Sequence, residues 1–134
     1  MTIYNKLPDI STRILNAQKS RKLEEKLNNT KATRNILKVL QREGFIRGFI
    51  IKDRLIYVQL KYFMDKPTLK KIKPILYKNE NIRVVDLKKL RSKNINFDKN
   101  RGLDTFILST SKGLMSDKEA ISKNIGGKLL LKVF

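Results

Sequence analysis

The stretch STSKGLMSDKEAISKNIGG, residues 109–127, decides the expected fold of the second half of this chain. Thr105–Leu108 before it and Leu129–Phe134 after it are apolar runs with the length and composition of strands. Ser109–Gly113 is small and polar, which indicates a turn. Ser116-Asp117-Lys118-Glu119 matches a capping box, in which a Ser hydroxyl and a Glu carboxylate satisfy free backbone N–H groups at a helix start. We therefore predict a strand, a turn, a short helix and a final strand.

The predicted turn at Ser109–Gly113 combines three hydroxyls, a lysine and a glycine. Such hydroxyls can donate to phosphate oxygens or pair with ribose 2′-hydroxyls, and glycine lets backbone N–H groups come close to a polyanion. The alternative is an ordinary turn whose hydroxyls bond their own backbone, and the residues alone favour neither reading. Gly126-Gly127 is predicted to end the helix and to allow a close backbone approach before the last strand.

Charge is the strongest compositional signal. The 134 residues include 31 Lys or Arg and 12 Asp or Glu, which gives a formal net charge of +19 and a pI near 10.3. That balance indicates nucleic acid as the first class of partner and an anionic membrane surface as the second. The apolar runs are too short to span a bilayer, so no membrane partner is predicted.

The chain contains no Cys and no His. The usual zinc sites and general-base arrangements therefore cannot form, and we predict no metal, no cofactor, no small-molecule substrate and no catalytic residue. Ser109 and Lys112 match the S-x-x-K motif of penicillin-binding serine acyltransferases, a different class of function. The companion S-D-N and K-T-G motifs are missing, so a hydrolase is disfavoured.

Periodicity along the chain predicts an α+β fold with two small lobes, residues 1–65 and 66–134. The N-terminal α/β lobe is predicted to contain a helix at 9–22, a polar loop at 22–29, a helix at 30–43 and a hairpin of strands at 45–51 and 55–63. Gly44 suits the left-handed stop after the second helix. The C-terminal lobe is predicted to be mainly β, with strands at 69–77 and 82–87, a helical turn at 87–91 and an exposed connection at 92–104.

The C-terminal segment resembles the small-subunit ribosomal protein S8 family. The matching residues are Ser109-Thr110-Ser111-Lys112-Gly113, Ser116-Asp117, Ala120 and Gly126-Gly127, in the family's order. Further matches upstream are Thr12-Arg13-Ile14 with Asn16 and Gln18, Glu43-Gly44-Phe45-Ile46, and Leu60-Lys61-Tyr62-Phe63. The resemblance covers nearly the whole chain and weakens around residues 78–104.

The resemblance implies a structural ribosomal protein that binds the central domain of small-subunit rRNA, mainly through the C-terminal lobe, and contacts neighbouring ribosomal proteins. The residues expected to bind RNA are Thr12, Arg13, Asn16, Thr30, Lys31, Lys78, Arg83, Ser109, Thr110, Ser111, Lys112, Gly113, Gly126, Gly127 and Lys128. Thr30 and Lys31 are included because the free N–H groups and the dipole at the start of the predicted helix at 30–43 favour phosphate. The alternative is that Asn29 or Thr30 serves only as the N-cap of that helix. Two positions depart from the family pattern. Lys128 stands where the family usually has an acid, and the turn at 78–81 lacks the usual Pro and Gly although Arg83 is kept.

Two questions stay open at this point. Charge alone also permits a free-standing basic RNA-binding module outside the ribosome. The abundance of Lys, Asn and Ile, with no Trp, is typical of an A/T-rich genome, and the N-terminal residues show no secretory signal. Together with the family resemblance, this composition predicts a mitochondrial, organelle-encoded ribosomal protein, with a plastid or a bacterial cytoplasm as the alternatives.

Overall fold

A computed structural model of the chain describes residues 3–74, 81–97 and 105–133. The fold is α+β, which confirms the predicted class. The described elements are α1 (Ile3–Lys19), β1 (Glu24–Asn28), α2 (Lys31–Arg42), β2 (Ile46–Lys52), β3 (Leu55–Leu60), β4 (Tyr62–Phe63), β5 (Lys66–Pro67), β6 (Ile72–Pro74), β7 (Asn81–Ile82), α3 (Val84–Phe97), β8 (Thr105–Thr110), β9 (Gly113–Ser116), α4 (Asp117–Ser122) and β10 (Gly127–Val133).

The backbone divides into two compact units, Met1–Ile72 and Lys73–Phe134. The boundary predicted from the sequence, between residues 65 and 66, falls inside the first unit, in the turn between β4 and β5. The segment Met64–Pro67 is short, mostly polar and ends in Pro, as segments that link domains often do. Main-chain pairing of Tyr62 with Pro67 and of Phe63 with Lys66 makes it a hairpin instead.

The first unit contains a three-stranded antiparallel sheet in the order β1-β3-β2. β2 and β3 form the predicted hairpin, and Asp53 in its turn has the left-handed φ of 52°. Ile56, Val58 and Leu60 of β3 are buried while the residues between them are half-buried, as the alternating pattern predicted. This alternation gives the sheet one face directed to the core.

Helix α2 is also as predicted, because both of its ends carry local signals. The Thr30 hydroxyl accepts a hydrogen bond from the backbone N–H of Thr33 and so caps the N-terminus. Gly44 adopts the left-handed φ of 80°, and Phe45 N–H bonds the carbonyl of Leu40. This is the hydrogen bond that closes a helix C-terminus over a glycine.

Two predictions in the first unit are wrong. Helix α1 begins at Ile3 rather than at residue 9, because Leu7 is buried and extends the stripe of Ile10, Ile14 and Ala17 by one turn in front of Pro8. The segment predicted as a loop at 22–29 contains strand β1, whose residues pair with β3 throughout. Only Leu27 of β1 is buried, so the strand forms by main-chain pairing at a polar sheet edge, which apolar periodicity does not reveal.

The second unit contains a five-stranded sheet in which β6, β10, β8 and β9 are neighbours in that order and β7 also pairs with β10. A cluster of buried residues covers one part of it, consisting of Leu87, Phe106, Leu108, Met115 and Ala120. These come from α3, β8, β9 and α4, so both helices pack against the sheet through this cluster. The cluster holds the ends of β7 and β8 in place.

The predicted strand at 82–87 is wrong beyond Ile82. The chain turns at Arg83, whose carbonyl accepts the N–H of Leu87, and continues as the fourteen-residue helix α3. Val84 and Val85 favour a strand locally, but Leu87 and Leu90 lie on the core cluster at helical spacing. The helical turn expected at 87–91 and residues 92–97 of the expected connection are parts of the same helix, which makes the lobe less β-rich than predicted. Residues 98–104 of that connection lie outside the described residues. The predicted strand at 69–77 is β6 alone within the described residues, and its end lies outside them.

Ser116 is the structural start of α4. Its hydroxyl accepts a hydrogen bond from the Glu119 N–H at 3.3 Å, which confirms this half of the predicted capping box. We expect Ser116→Ala to lower the free energy of unfolding by about 1 kcal/mol, because a buried helix-end N–H loses its acceptor. Urea unfolding followed by circular dichroism measures the change.

Ser122→Ala is the matched control, because this serine is exposed at the last position of the same helix. The control is expected to change stability by less than about 0.5 kcal/mol. Equal losses in the two variants would contradict the capping role of Ser116.

Candidate nucleic-acid interface

An open groove of about 480 Å³ lies in the second unit, where β7, the C-terminal end of β8 and the start of β10 meet. We call it the hydroxyl groove, and its lining residues are Asn81, Ile82, Arg83, Val84, Ser109, Thr110, Ser111, Gly126 and Gly127. Six of the residues predicted to bind RNA are thus brought together on one groove. Asn81, Ile82 and Val84 were missed, because the pairing of β7 with β10 cannot be read from their sequence.

The Ser/Thr turn is a tight β-hairpin rather than a loop. Ser109 and Thr110 belong to β8, Gly113 belongs to β9, and only Ser111 and Lys112 lie in the turn. Gly113 has a φ of 103°, a left-handed value that favours glycine. The turn is therefore shorter than the predicted five residues, because main-chain pairing continues as far as Thr110 and Gly113.

The three hydroxyls of this hairpin have different surroundings. Thr110 Oγ1 donates to the Gly113 carbonyl at 2.8 Å and accepts from the Lys112 N–H at 3.2 Å, so it serves the turn itself. Ser109 is half-buried and Ser111 is exposed, and neither hydroxyl has a hydrogen-bond partner among the described residues. The alternative of an ordinary turn, whose hydroxyls bond their own backbone, therefore holds for Thr110. The hydroxyls of Ser109 and Ser111 are available to a ligand.

The glycine pair brings three segments unusually close together. A Cβ atom on Gly126 would lie 2.4 Å from the carbonyl oxygen of Ile82, and one on Gly127 would lie 2.4 Å from that of Ser109. Both contacts are with backbone atoms, which cannot rotate away, so only glycine fits at either position. This confirms the predicted close backbone approach.

The other role predicted for the glycine pair, ending the helix, is wrong. Asn124 takes the left-handed position after α4, with a φ of 56°, and Ile125 N–H bonds the carbonyl of Ala120. Asn tolerates this conformation better than other non-glycine residues, so the helix ends before the glycines are reached.

Lys128 lies in the middle of a polar row across three strands. It is opposite Asn81 of β7 on one side and opposite Ser109 of β8 on the other. Residues directly opposite each other on neighbouring strands point to the same face of a sheet, about 4.5–5.5 Å apart at Cβ. Lysine at this position therefore puts a positive charge beside a free hydroxyl and an amide, where an acid would repel phosphate.

Of the predicted cations of this unit, Arg83 lines the groove, whereas Lys112 and Lys128 do not line it but directly follow the lining residues Ser111 and Gly127 in the chain. Lys112 is exposed in the hairpin turn. Arg83 is exposed as well, and its guanidinium makes a 3.3 Å ion pair with Asp86. An ion pair this exposed is weak, so the guanidinium can exchange Asp86 for a phosphate at small cost. Lys78 lies outside the described residues.

The predicted residues of the first unit form no single site. Thr12 and Asn16 are exposed on α1 and line a second groove, whereas Arg13 is outside its lining and pairs with Asp9 at 3.3 Å. Thr30 is the N-cap of α2, which is the alternative role for this residue, and Lys31 is exposed after it. Gln18, one of the residues that match the family, is 4% exposed.

Within residues 3–74, 81–97 and 105–133, no group of three acidic, His or Cys side chains is placed to hold a metal ion. No helix in this part of the chain is long and apolar enough to cross a membrane.

Comparison with known proteins covers the full length of the chain. The family model of ribosomal protein S8 matches residues 5–134. A small ribosomal subunit protein uS8 from Rhodospirillum centenum is 36% identical over 141 residues, covering 100% of both chains. The uS8 proteins of Rhodopseudomonas palustris and Erythrobacter litoralis are 33% and 36% identical, again over 100% of both chains.

The close approach at Gly127 predicts a specific sensitivity to side chains. We expect Gly127→Ala to lower the free energy of unfolding by about 1–3 kcal/mol, because β8 and β10 must move apart to admit the methyl group. Denaturant unfolding measures the loss, and amide exchange of β8 and β10 should report weaker pairing.

Gly48→Ala in β2 is the matched control. A Cβ atom there would meet only the end of the Gln41 side chain at 3.6 Å, an ordinary contact. The control is expected to be neutral or to gain up to about 1 kcal/mol. A Gly127→Ala protein as stable as the control would show that the strands are not held at this distance.

Proposed function

Because the chain belongs to the ribosomal protein S8 family, we propose that it is a structural constituent of the small ribosomal subunit that binds the central domain of small-subunit rRNA. The observation that carries the proposal is the pair of hydroxyls of Ser109 and Ser111, which have no hydrogen-bond partner among the described residues and line a groove together with Arg83 and the glycine pair. A ligand with many hydroxyl and phosphate oxygens can pair with both hydroxyls.

The chemistry of the hydroxyl groove suits RNA recognised by shape. Hydroxyls both donate and accept, so Ser109 and Ser111 can pair with a ribose 2′-hydroxyl or with a phosphate oxygen. Arg83, Lys112 and Lys128 surround these hydroxyls with positive charge. The arrangement favours an irregular minor groove, where ribose hydroxyls and phosphates are exposed.

Thr110 and Ser116 support the site without needing to touch RNA. The Thr110 hydroxyl holds the hairpin turn closed, and the Ser116 cap fixes the start of α4 directly after β9. The hairpin is therefore ordered before RNA arrives, which reduces the entropy lost on binding. The net charge of +19 adds long-range attraction that does not depend on sequence.

The proposal extends to partners and location. Neighbouring proteins of the small subunit are proposed as further partners, and the function involves no membrane, no cofactor and no catalytic step. The Lys-, Asn- and Ile-rich composition supports a mitochondrial ribosome, whereas the bacterial sources of the relatives named above favour the bacterial alternative. Immunodetection of the protein in purified mitochondrial ribosomes would distinguish these two, and a plastid fraction tests the third.

Binding of the purified protein to its own central-domain rRNA fragment tests the function directly. A shuffled RNA of equal length is the control, and both are titrated across a salt series. We expect the cognate complex to persist at salt concentrations that dissociate the shuffled RNA, because hydrogen bonds in the groove add to counterion release. Equal affinities for the cognate and the shuffled RNA, both falling in the same way as the salt concentration rises, would instead indicate a free-standing basic RNA-binding module.

Ser109→Ala with Ser111→Ala tests the groove itself. We expect the double variant to bind the cognate fragment about 1–3 kcal/mol more weakly in filter binding, because two donors to the RNA are removed. Stability should be retained, since neither hydroxyl has a partner in the described protein. Ser20→Ala with Ser122→Ala removes two other exposed hydroxyls and is expected to bind like the parent chain. Unchanged affinity in the Ser109/Ser111 variant would refute the role of the hydroxyls.

A further inference from the structure

The first unit contains a second groove, of about 490 Å³, between the C-terminal half of α1 and the segment from β4 to residue 71. All of its described lining residues belong to the first unit. We call it the cationic groove, because Lys19 and Arg21 lie on one wall and Lys70 and Lys71 on the other. Among the described lining residues, Asp65 is the one acid.

The four cations of this groove are not neutralised by the described protein. All are exposed, and none has an ion-pair partner in the described part of the chain. Basic residues just outside the lining do have partners: Lys22 pairs with Glu25 at 3.5 Å, and Arg13 with Asp9. Unpaired positive charge is therefore concentrated in the groove, where it attracts an anion.

One of the lining residues has a buried polar atom without a partner. Among the described residues, Gln18 Nε2 and Thr68 Oγ1 are the buried side-chain atoms without a hydrogen-bond partner. Gln18 lines the groove, whereas Thr68 is not part of the lining, although its chain neighbours Pro67 and Leu69 are. Buried polar atoms in native proteins are nearly always paired, so the Gln18 amide is a candidate to take an additional partner at the groove.

Part of the remaining lining is apolar. Leu15 and Pro67 are half-buried, as is Tyr62, and these three residues contribute apolar surface to the groove. The Tyr62 hydroxyl donates to the Lys22 carbonyl at 2.6 Å, and Thr68 N–H bonds the Lys61 carbonyl at 3.0 Å. These bonds attach the 62–68 segment to the turn after α1 and to the end of β3. A groove with apolar surface, an aromatic ring and bordering cations suits a flat base attached to a phosphate.

We propose that the cationic groove binds a single unpaired nucleotide of RNA, with its flanking phosphates held by Lys19, Arg21, Lys70 and Lys71. The inference rests on the proposed RNA-binding function and adds a second site to it, in the other unit. The groove volume of about 490 Å³ lies within the range of about 300–1,000 Å³ typical of small-ligand sites, which matches a ligand the size of one nucleotide. Bases splayed out of RNA loops and bulges are the usual targets of such sites.

An acidic peptide is the other polyanion that could enter. It would satisfy the cations but leave the apolar surface and the Tyr62 ring without a flat partner. A nucleotide satisfies both, because the base covers apolar surface while its phosphates face the lysines. The observed mixture of surfaces therefore favours RNA.

Lys19→Gln with Lys71→Gln removes one cation from each wall and tests the proposal in the full chain. The probe is a fluorescent hexauridylate that carries one 4-thiouridine for photo-cross-linking. We expect the variant to bind it at least about fivefold more weakly, with the salt slope reduced by about 0.7 for each phosphate that the variant no longer neutralises. In the parent chain, the cross-link is expected in peptides containing residues 15–21 or 62–71.

Lys38→Gln with Arg47→Gln is the matched control, because both residues are exposed in the same unit and lie outside the groove. This control has the same net charge as the groove variant and should bind close to the parent level. Equal weakening in the two variants, or a cross-link confined to other peptides, would overturn the proposal. Displacement of the probe by pentaglutamate at the same concentration as unlabelled hexauridylate would instead assign the groove to an acidic peptide.

This test is independent of the hydroxyl groove. The Ser109→Ala, Ser111→Ala protein should lose affinity for the cognate rRNA fragment and keep the hexauridylate cross-link at the cationic groove. If the parent chain does not prefer cognate over shuffled RNA, the proposed function is refuted. The cross-link experiment then still decides whether the cationic groove binds a nucleotide. Loss of the cross-link with cognate binding retained would remove only the second site.

Discussion

The second unit depends on one steric constraint, the distance between β10 and the backbone of its neighbours at the glycine pair. At residue 127 the Ser109 carbonyl lies 2.4 Å from where a Cβ atom would be, and at residue 126 the Ile82 carbonyl lies equally close. Two adjacent glycines therefore allow β7 and β8 to approach β10 from both sides. This approach brings Asn81, Arg83 and Ser109 to one groove.

Positive charge and directional hydrogen bonding have separate roles in this protein. The charge is spread widely over the sequence and gives attraction without specificity. The hydroxyls are few, and their directions are determined by strand pairing, so they can distinguish one RNA shape from another. The cationic groove of the first unit combines both properties, because its unpaired cations border an apolar surface of defined size. Each unit thus has its own candidate RNA site.

The errors in the predicted fold have a common physical origin. Local signals of chain ends and turns were reliable: the Thr30 cap, the Gly44 stop and the Ser116 cap lie where they were expected. β1 was missed because its polar residues carry no apolar alternation, and its partner strand lies some thirty residues further along the chain. α3 was misassigned because Val84 and Val85 favour a strand, whereas packing of Leu87 on the core cluster selects the helix. Nonlocal pairing and packing override weak local preference in both cases.

The sequence by itself determined the α+β class, the basic character of the surface, the capped helix starts and the resemblance of the Ser/Thr and glycine motifs to the S8 family. These follow from composition, periodicity and short spacings, which act between neighbours along the chain. Only the tertiary structure decided that Thr110 serves its own turn while the hydroxyls of Ser109 and Ser111 have no partner among the described residues. It also decided that Asn124 rather than the glycine pair ends α4. It likewise decided that Lys128 stands between Asn81 and Ser109 and that Lys19 and Lys71 line one groove. These outcomes depend on which distant backbone segments pair, because a side chain's availability is determined by its neighbours in space.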